Sequence, residues 1–305
     1  MSQNSNSSIL QRFLGARGRE EKEKWILVLE GGAMRNIFTA GVLDSLHELI
    51  YDRFHTIVSV SGGAACGLSL MANQKGRMQN LFLNHFANRQ FVDFRKVWDG
   101  EHILNISNIF TEIHKEISPV DLEAFESNPG ELQVTLTCAE TGRTEFHSPQ
   151  SEDVLETLIT GCNFPYLTKT PAKFKGKSYV DGGVSCPLPL SHALDLGATK
   201  IVLISTRPHG FRKSRSALMN RILGKVFANF KSLNDLLHHD HDVYNAARNY
   251  VEHFQHTDCE LLTIEPPKDF PVERLTTDRD KLYQGYSMGL IEGMKWQSVF
   301  EKAFK

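Results

Sequence analysis

Apolar and polar residues follow two different periods along this chain. Short runs of apolar and β-branched residues predict strands, several of them buried on both faces, at 25–30, 56–60, 131–138, 143–147, 200–205 and 259–265. Longer segments with apolar residues at helical spacing predict helices at 39–50, 76–89, 153–161, 216–230, 233–255 and about 278–304. This repeated order predicts an α/β fold, a three-layer α/β/α sandwich with a mainly parallel central sheet.

Composition narrows the class of protein. The 305 residues are 41% hydrophobic and 23% charged, with a net charge of −2, which is typical of a soluble globular protein and gives no sign of a nucleic-acid partner. The five cysteines are scattered without a C-x-x-C pair, so neither a disulfide framework nor a zinc site is indicated. No run approaches the roughly 18 apolar residues of a membrane span. We therefore expect a cytoplasmic protein with a flexible polar leader over residues 1–23.

The stretch VSVSGGAACG at 58–67 joins a predicted strand to a predicted helix. A strand ending in serine, followed by Gly-Gly and small residues, fits a sharp strand–turn–helix elbow. Such a turn places Ser61 at a helix N-terminus, where unpaired N–H groups favour negative charge. Ser61 is therefore a candidate nucleophile, supported by Gly62 and Gly63. The structural alternative is an N-capping serine before a glycine turn.

A glycine-rich loop follows the first predicted strand, in LEGGAMRNIFTAGVL at 29–43. Its glycines let the backbone turn and expose N–H groups, and Arg35 adds a fixed cation, so the loop can bind an anion. It contains neither G-x-G-x-x-G nor a Walker Gly-Lys-Ser/Thr, which disfavours a nucleotide-phosphate site. The preferred interpretation is an oxyanion hole for acyl transfer, built from Gly31, Gly32 and Ala33.

The stretch SYVDGGVSCPLPL at 178–190 begins with a further short predicted strand, which ends in Asp181 followed by Gly182 and Gly183. An Asp-Gly turn of this kind is common, so this feature is weak by itself. Loops that follow parallel strands share one edge of the sheet, so the glycine-rich loop and the Ser61 elbow can meet. Together the three features would supply a nucleophile, oxyanion donors and a carboxylate base.

These motifs resemble those of the patatin-like phospholipases, from about Trp25 to Ser205. The family signature is a G-G-G-x-R/K-G loop, a G-x-S-x-G elbow and a later D-G-G or D-G-A, and this chain has the corresponding segments in the same order at 31–43, 59–63 and 181–183. Three positions depart from it: Ala33 replaces the third glycine, Asn36 the closing glycine and Ser59 the first elbow glycine. Ala33 still offers a backbone N–H, so we expect the oxyanion hole to survive.

The resemblance implies a Ser61–Asp181 dyad that needs no metal and no cofactor. Aspartate is a weak base, with a reference pKa near 3.9, so the dyad requires direct contact with the serine and partial desolvation of the carboxylate. A triad would instead need a histidine after the acid. His192, at a predicted helix start, is one candidate for that histidine, and we interpret it as a surface or packing residue.

Two charged segments each allow two interpretations. HHDHD at 238–242 is a solvated helix face or a metal site without an evident third partner. The run from Phe211 to Lys231 has six basic residues and no acidic one, with Leu218, Ile222, Val226 and Phe230 at helical spacing. This segment either packs its apolar stripe on the domain or lies on a membrane surface.

The resulting hypothesis is a lipid acyl hydrolase with a catalytic part over 24–210 and a helical part over 211–305 that completes or caps the same domain. Ser61 attacks a carboxylic ester, Asp181 transfers the proton, and Arg35 braces the loop or contacts a phosphate head group. The expected partners are a lipid or ester substrate and an anionic membrane surface, with no nucleic acid and no obligate protein partner. The alternatives are an esterase of small soluble esters and a lipid-binding protein without turnover.

Overall fold

The computed structural model describes residues 23–87, 112–166 and 168–304. Within these ranges, eight strands form one sheet. Their bounds are β1 Trp25–Leu29, β2 Thr56–Val60, β3 Glu131–Cys138, β4 Thr144–His147, β5 Ala172–Phe174, β6 Lys177–Asp181, β7 Lys200–Ile204 and β8 Glu260–Ile264.

The α-helices surround this sheet. Their bounds are α1 Asn36–Ile50, α2 Gly62–Met71, α3 Arg77–Asn80, α4 Leu122–Ser127, α5 Val154–Gly161, α6 Leu190–Asp195, α7 Ala217–Val226, α8 Lys231–His238, α9 Asp240–Glu252, α10 Arg279–Met294 and α11 Gln297–Ala303. Short 3₁₀ turns lie at Ala33–Arg35 and Gly182–Val184, and π-helical segments at Leu81–Phe86, directly after α3, and Ile113–Ile117.

The strand order is β5-β6-β3-β2-β1-β7-β8, with β4 also pairing with β3. The five strands from β3 to β8 in this order run parallel to one another, whereas β4, β5 and β6 join by antiparallel pairing. The prediction of a mainly parallel sheet is therefore confirmed, and β1 and β2, which lead into the glycine-rich loop and Ser61, are parallel. Asp181 instead ends β6, a strand of the antiparallel edge.

Side chains of β1 alternate between the two faces of the sheet, as the two-residue period of a strand requires. Leu27 and Leu29 pack in the larger hydrophobic cluster, with residues of α1, α2, α10 and α11. Ile26 and Val28 pack in a second cluster, with residues of α6 and α9. Helices thus cover both faces, and the predicted three-layer α/β/α arrangement is confirmed.

Several predicted elements differ from the structure in their bounds. The segment predicted as one helix over 233–255 is two helices, because His239 leaves helical geometry (φ −113°, ψ 13°) between α8 and α9. The last predicted helix is likewise divided into α10 and α11. The three-residue strand β5 was not predicted, since a strand this short has no readable period and depends on pairing with β6. The predicted leader, except for Glu23, lies outside the described residues.

Helix α10 packs closely on α1 through glycines. A Cβ atom on Gly289 would lie 2.3 Å from the carbonyl oxygen of Phe38, and one on Gly41 would lie 2.3 Å from that of Tyr286. The C-terminal part of the chain therefore contributes to the same core as the first helix. In the described ranges, no helix combines the length and apolar character needed to cross a membrane.

Candidate active site

Ser61 occupies the turn between β2 and α2. Its backbone is strained, with φ 53° and ψ −131°, a conformation that L-residues rarely adopt and that costs about 1–3 kcal/mol. It stands at the N-cap position of α2, but its side chain makes no capping hydrogen bond. The capping role considered as an alternative thus does not account for this serine.

Glycines let the loop after β1 touch the Ser61 turn. A Cβ atom on Gly31 would lie 2.7 Å from the Cβ of Ser61. One on Gly62 would lie 2.7 Å from the Asn36 side-chain oxygen, and one on Gly63 would lie 2.8 Å from the last carbonyl oxygen of β1. Side chains are therefore excluded here, and the expected meeting of the loop and the elbow is observed.

Asp181 ends β6 and is 2% exposed. Burial is the largest influence on its carboxyl group and raises its pKa. Opposing contributions come from a hydrogen bond with the Ser61 hydroxyl, a 2.8 Å hydrogen bond from the Gly183 N–H, and the charges of Arg274 and Lys213. Asp181 is thus a desolvated carboxylate next to the candidate nucleophile.

The Gly182–Gly183 turn is fixed by contacts with the sheet and with Asp181. A Cβ atom on Gly182 would lie 2.2 Å from the carbonyl oxygen of Thr135 in β3, so no larger residue fits without moving backbone. Gly183 donates its N–H to Asp181, as described above, and a Cβ there would lie 3.1 Å from the same carboxylate oxygen. Both glycines therefore set the position of the carboxylate.

The loop after β1 presents backbone N–H groups beside Ser61. Within the described part of the chain, the N–H groups of Gly32, Ala33 and Gly62 donate to no hydrogen-bond acceptor, and all three residues line the same cavity as Ser61. The loop and the elbow adjoin at this point, because a Cβ on Gly62 would lie 3.4 Å from the Ala33 nitrogen. These free donors suit an oxyanion.

Gly32 and Ala33 differ in backbone conformation. Gly32 has φ −170° and is required by close approach, because a Cβ there would lie 2.8 Å from the Thr206 hydroxyl oxygen. The positive φ (50°) belongs to Ala33, the residue at the third glycine of the family signature. Ala33 therefore keeps its N–H at the expense of backbone strain.

The other two departures from the signature need no glycine. Ser59 lies inside β2, where its buried hydroxyl donates to the Gln133 carbonyl at 3.0 Å. Asn36 begins α1 with an ordinary helical φ of −66°, and its amide donates to the Glu30 carbonyl at 2.9 Å. Both side chains tie the site to neighbouring strands.

Sequence reasoning missed a buried acid that holds the loop. Glu30 is 1% exposed and accepts hydrogen bonds from the Thr206 N–H at 2.6 Å, the Tyr244 hydroxyl at 2.7 Å and the Ser205 hydroxyl. The Thr206 hydroxyl in turn donates to the Gly31 carbonyl at 3.0 Å. A charged residue directly after the buried run WILVL was the signal that could have identified Glu30.

Arg35 is 3% exposed at the edge of this loop. Its backbone N–H donates to the Gly32 carbonyl at 3.1 Å, so the main chain braces the loop. Its guanidinium Nε and Nη1 atoms have no hydrogen-bond partner among the described residues. Burial, followed by the charges of Arg274 and Arg207, lowers the pKa of Arg35 to about 9.

Ser61 and Asp181 open into a cavity of about 330 Å³. One wall is apolar and comes from α3 and the π-helical segment after it, with Met78, Phe82 and Phe86. The same cavity is lined by four basic residues, Arg35, Arg207, Lys213 and Arg274. It therefore combines an apolar surface with positive charge next to the candidate nucleophile.

No histidine among the described residues lines this cavity. His192 instead hydrogen-bonds to Gln133 at 2.7 Å and stacks on Phe146 with ring centroids 3.5 Å apart, which agrees with a packing role. In the HHDHD segment, Asp240 bonds to Lys213 and Tyr166. Groups of three or more potential metal ligands are absent from the ranges that the structure covers.

The basic run from Phe211 to Lys231 is divided by the structure. Arg212 pairs with Glu252, and Lys213 pairs with Asp240, so neither is a free surface charge. Leu223 in α7 and Phe227 directly after it are buried, whereas the apolar stripe is exposed: Leu218 by 70%, Ile222 by 47% and Val226 by 40%. Packing of this stripe on the domain, one of the two interpretations from sequence, is therefore wrong for these three residues.

Two models of known protein families match parts of this sequence. The model described as patatin-like phospholipase matches residues 27–194, more than half of the chain, including the Ser61 elbow and Asp181. The chain belongs to the patatin-like phospholipase family. This membership supports a lipid hydrolase activity. A second family model, described as a domain of unknown function, matches residues 230–302.

Individual relatives are distant. The uncharacterized protein YjjU of Escherichia coli (strain K12) is 24% identical over 271 residues, which cover 88% of this chain and 75% of that protein. The probable lipid hydrolase 463L of Invertebrate iridescent virus 6 is 24% identical over 184 residues, covering 55% of this chain and 62% of that protein. The crystal structure of VipD from Legionella pneumophila aligns with a TM-score of 0.46 and 14% identity, over 90% of this chain and 67% of that chain.

Proposed function

We propose that this protein is a serine lipid acyl hydrolase, of the phospholipase A or lysophospholipase type, that uses a Ser61–Asp181 dyad. The observation that carries this proposal is the pairing of a strained serine, whose hydroxyl makes no capping bond, with a buried aspartate. Neither feature stabilises the fold, since the strained backbone and the desolvated carboxylate both cost free energy. Such costs are typical of reactive groups.

In the proposed reaction, the Ser61 oxygen attacks the ester carbonyl carbon while Asp181 accepts the hydroxyl proton. The tetrahedral intermediate collapses to an acyl-enzyme, and Asp181 gives the proton to the departing alcohol. Water then attacks the acyl-enzyme, again losing its proton to Asp181, and Ser61 regains a proton as the carboxylic acid leaves. The raised pKa of Asp181 suits both directions of this transfer, because it makes the carboxylate a stronger base.

The N–H groups of Gly32, Ala33 and Gly62 are proposed to hold the oxygen that becomes negative in this reaction. They are unpaired among the described residues and are fixed by the hydrogen bonds of Thr206 and Asn36. Removing one such donor typically lowers kcat by about 10²- to 10³-fold.

A lipid acyl chain is favoured over a small soluble ester by the apolar cavity wall of Met78, Phe82 and Phe86. Adsorption to lipid is proposed to use α7, whose exposed apolar stripe lies beside the exposed basic residues Arg221 and Lys225. An amphipathic helix of this kind lies in the interface of an anionic membrane. The helix is close to the site, because Leu223 and Phe227 pack in one cluster with Val184, which lines the cavity.

A fluorophosphonate probe followed by intact-mass measurement tests the proposal. We expect labelling of the wild type at Ser61, none of Ser61→Ala, and a rate loss for Asp181→Asn on the order of 10² to 10⁴. Ser287→Ala is the matched control, since its hydroxyl only donates to the Tyr283 carbonyl in α10. Ester hydrolysis by Ser61→Ala at the wild-type rate would overturn the assignment. Probe-resistant wild type that still binds lipid would favour a lipid-binding protein.

A further inference from the structure

Three arginines lining the cavity have no acidic partner. Among the described residues, Arg35, Arg207 and Arg274 have no carboxylate oxygen within 4.0 Å. The fourth basic residue of the cavity, Lys213, is different because it pairs with Asp240. The three guanidinium groups therefore have no carboxylate in direct contact, whereas Lys213 has one.

This lack of pairing is not general in the protein. Arg248, which is fully buried, pairs with Glu265 at 2.8 Å, and the exposed Arg212 pairs with Glu252 at 2.6 Å. A buried cation without a partner is strongly unfavourable, so proteins place one only where something else stabilises it. Other arginines without a carboxylate partner, such as Arg143 and Arg221, are exposed to solvent. The cavity is thus a place where buried and half-buried arginines are left for another group to bind.

Aromatic rings hold two of the three guanidinium groups in position. Arg207 lies 4.2 Å from the ring centroid of Phe211, and Arg274 lies 4.3 Å from that of Phe164. Contact through the face of a guanidinium leaves its in-plane N–H donors available. Neither side chain donates a hydrogen bond within the described part of the chain. The guanidinium groups of Arg207 and Arg274 are therefore held in position, and their N–H donors are available to a ligand.

Arg35 adds a third set of donors from the protein side of the cavity. It is 3% exposed, and its Nε and Nη1 atoms lack a partner among the described residues. The charges of Arg274 and Arg207 act on it strongly enough to contribute, after burial, to lowering its pKa. Three cations that repel one another at one site are stabilised together by a single multivalent anion.

The three arginines come from separate parts of the chain and meet beside the nucleophile. Arg35 follows the glycine-rich loop, Arg207 follows β7, and Arg274 lies in the C-terminal segment 230–302. The Arg274 carbonyl accepts the Met34 N–H at 3.2 Å, which ties that segment to the loop. The charge of Arg274 also lowers the pKa of Asp181, so the cationic cluster lies within electrostatic reach of the proposed dyad.

We propose that Arg207 and Arg274, backed by Arg35, form a phosphate-binding subsite within the active-site cavity, and that it receives the phosphate head group of the ester substrate. The second clause rests on the proposed hydrolase function. Arginine forks match the oxygens of a phosphate group, which accepts two hydrogen bonds from each. The C-terminal segment would thereby contribute to substrate selection, through a residue outside the family signature.

Phosphate binding tests the subsite without any turnover. In a Ser61→Ala background, we expect calorimetry to show binding of inorganic phosphate. Arg207→Met and Arg274→Met should each raise the Kd for phosphate by at least 10-fold. Arg143→Met is the matched control, since Arg143 is exposed and does not line the cavity. Should one variant not fold, the other variant and Arg274→Lys, which keeps the charge but loses the fork, still decide. Absence of phosphate binding, or equal Kd values in all variants, overturns the subsite.

Measurements of turnover show whether the subsite binds the phosphate of a substrate head group or only free phosphate. For two esters with the same acyl chain, one bearing a phosphate and one neutral, we expect wild-type kcat/KM to favour the phosphate ester by at least 10-fold. Arg207→Met and Arg274→Met should reduce that ratio toward one, and Arg143→Met should not. If phosphate binds through the arginines but the ratio is near one, the head-group assignment is refuted. If neither ester is hydrolysed while phosphate binding still depends on the arginines, the hydrolase proposal fails and the subsite stands.

Discussion

Replacing Leu218, Ile222 and Val226 by serine would test whether α7 contacts lipid. Full burial of such a side chain contributes about 2 kcal/mol, and the exposed fractions of 70%, 47% and 40% are the parts still available for transfer. Weighted in this way, the three side chains contribute about 3 kcal/mol to adsorption, which corresponds to a loss of about 100-fold in affinity. Because these side chains already face solvent, we expect little change in the free energy of unfolding.

The assay is co-sedimentation with vesicles of increasing anionic lipid content, at low and high salt. The control is Ile291→Ser with Met294→Ser, which removes similar exposed apolar surface (58% and 55%) from α10. We expect the α7 variant to lose binding and the α10 control to keep it, while a short soluble ester is hydrolysed by both. Undiminished binding of the α7 variant, or loss of binding in the control alone, would refute this assignment of the membrane surface.

Three further predictions concern the site itself. Ala33→Gly should raise the free energy of unfolding by about 0.5–1 kcal/mol in urea denaturation, since it removes a left-handed backbone cost of about 1–2 kcal/mol but makes the unfolded chain more flexible; a destabilised variant would contradict this reasoning. Gly32→Ala should lower kcat by about 10²- to 10³-fold with a smaller effect on KM, because its Cβ would meet the Thr206 hydroxyl oxygen at 2.8 Å and displace the loop, and an unchanged kcat would show that the loop is only a turn. Burial raises the pKa of Asp181, so the acid limb of the kcat/KM profile should lie above pH 3.8. The favourable contribution of this carboxyl group to stability is complete below that unfolded-state pKa and is lost as pH rises through the folded-state pKa. The thermal unfolding temperatures of wild type and Asp181→Asn should therefore diverge toward neutral pH.

The parts of the site that the sequence predicts are those written in short, local patterns. Ser61 and Asp181 each stand at the end of a buried run and before two glycines, and the structure brings both into one cavity with the Gly31–Ala33 loop. Strand–turn–helix order and the repeated change of hydrophobic period were enough to predict the parallel strands. Such signals are readable because backbone geometry and residue type are coupled within a few positions.

The parts that could not be predicted depend on contacts between distant segments. Glu30 has a local signal, but its partners Thr206 and Tyr244 are 176 and 214 residues further along the chain. Arg274 carries no motif, and its place in the cavity follows only from the packing of the C-terminal segment. The exposure of the apolar stripe on α7 could not be predicted either. The helical spacing of apolar residues does not show which of two neighbouring helix faces packs on the domain.

The C-terminal part of the chain, residues 211–305, contacts the candidate active site at several points. Tyr244 donates to Glu30, which holds the glycine-rich loop, and the Arg274 carbonyl accepts the N–H of Met34 directly after Ala33. Strand β8 extends the sheet beside β7, and α10 packs on the helix that the loop begins. Residues on both sides of position 210 therefore set the geometry of one loop. Substitutions in 211–305 that loosen these contacts should lower kcat even where they lie far from Ser61, because the N–H donors of that loop act only while they are held in place.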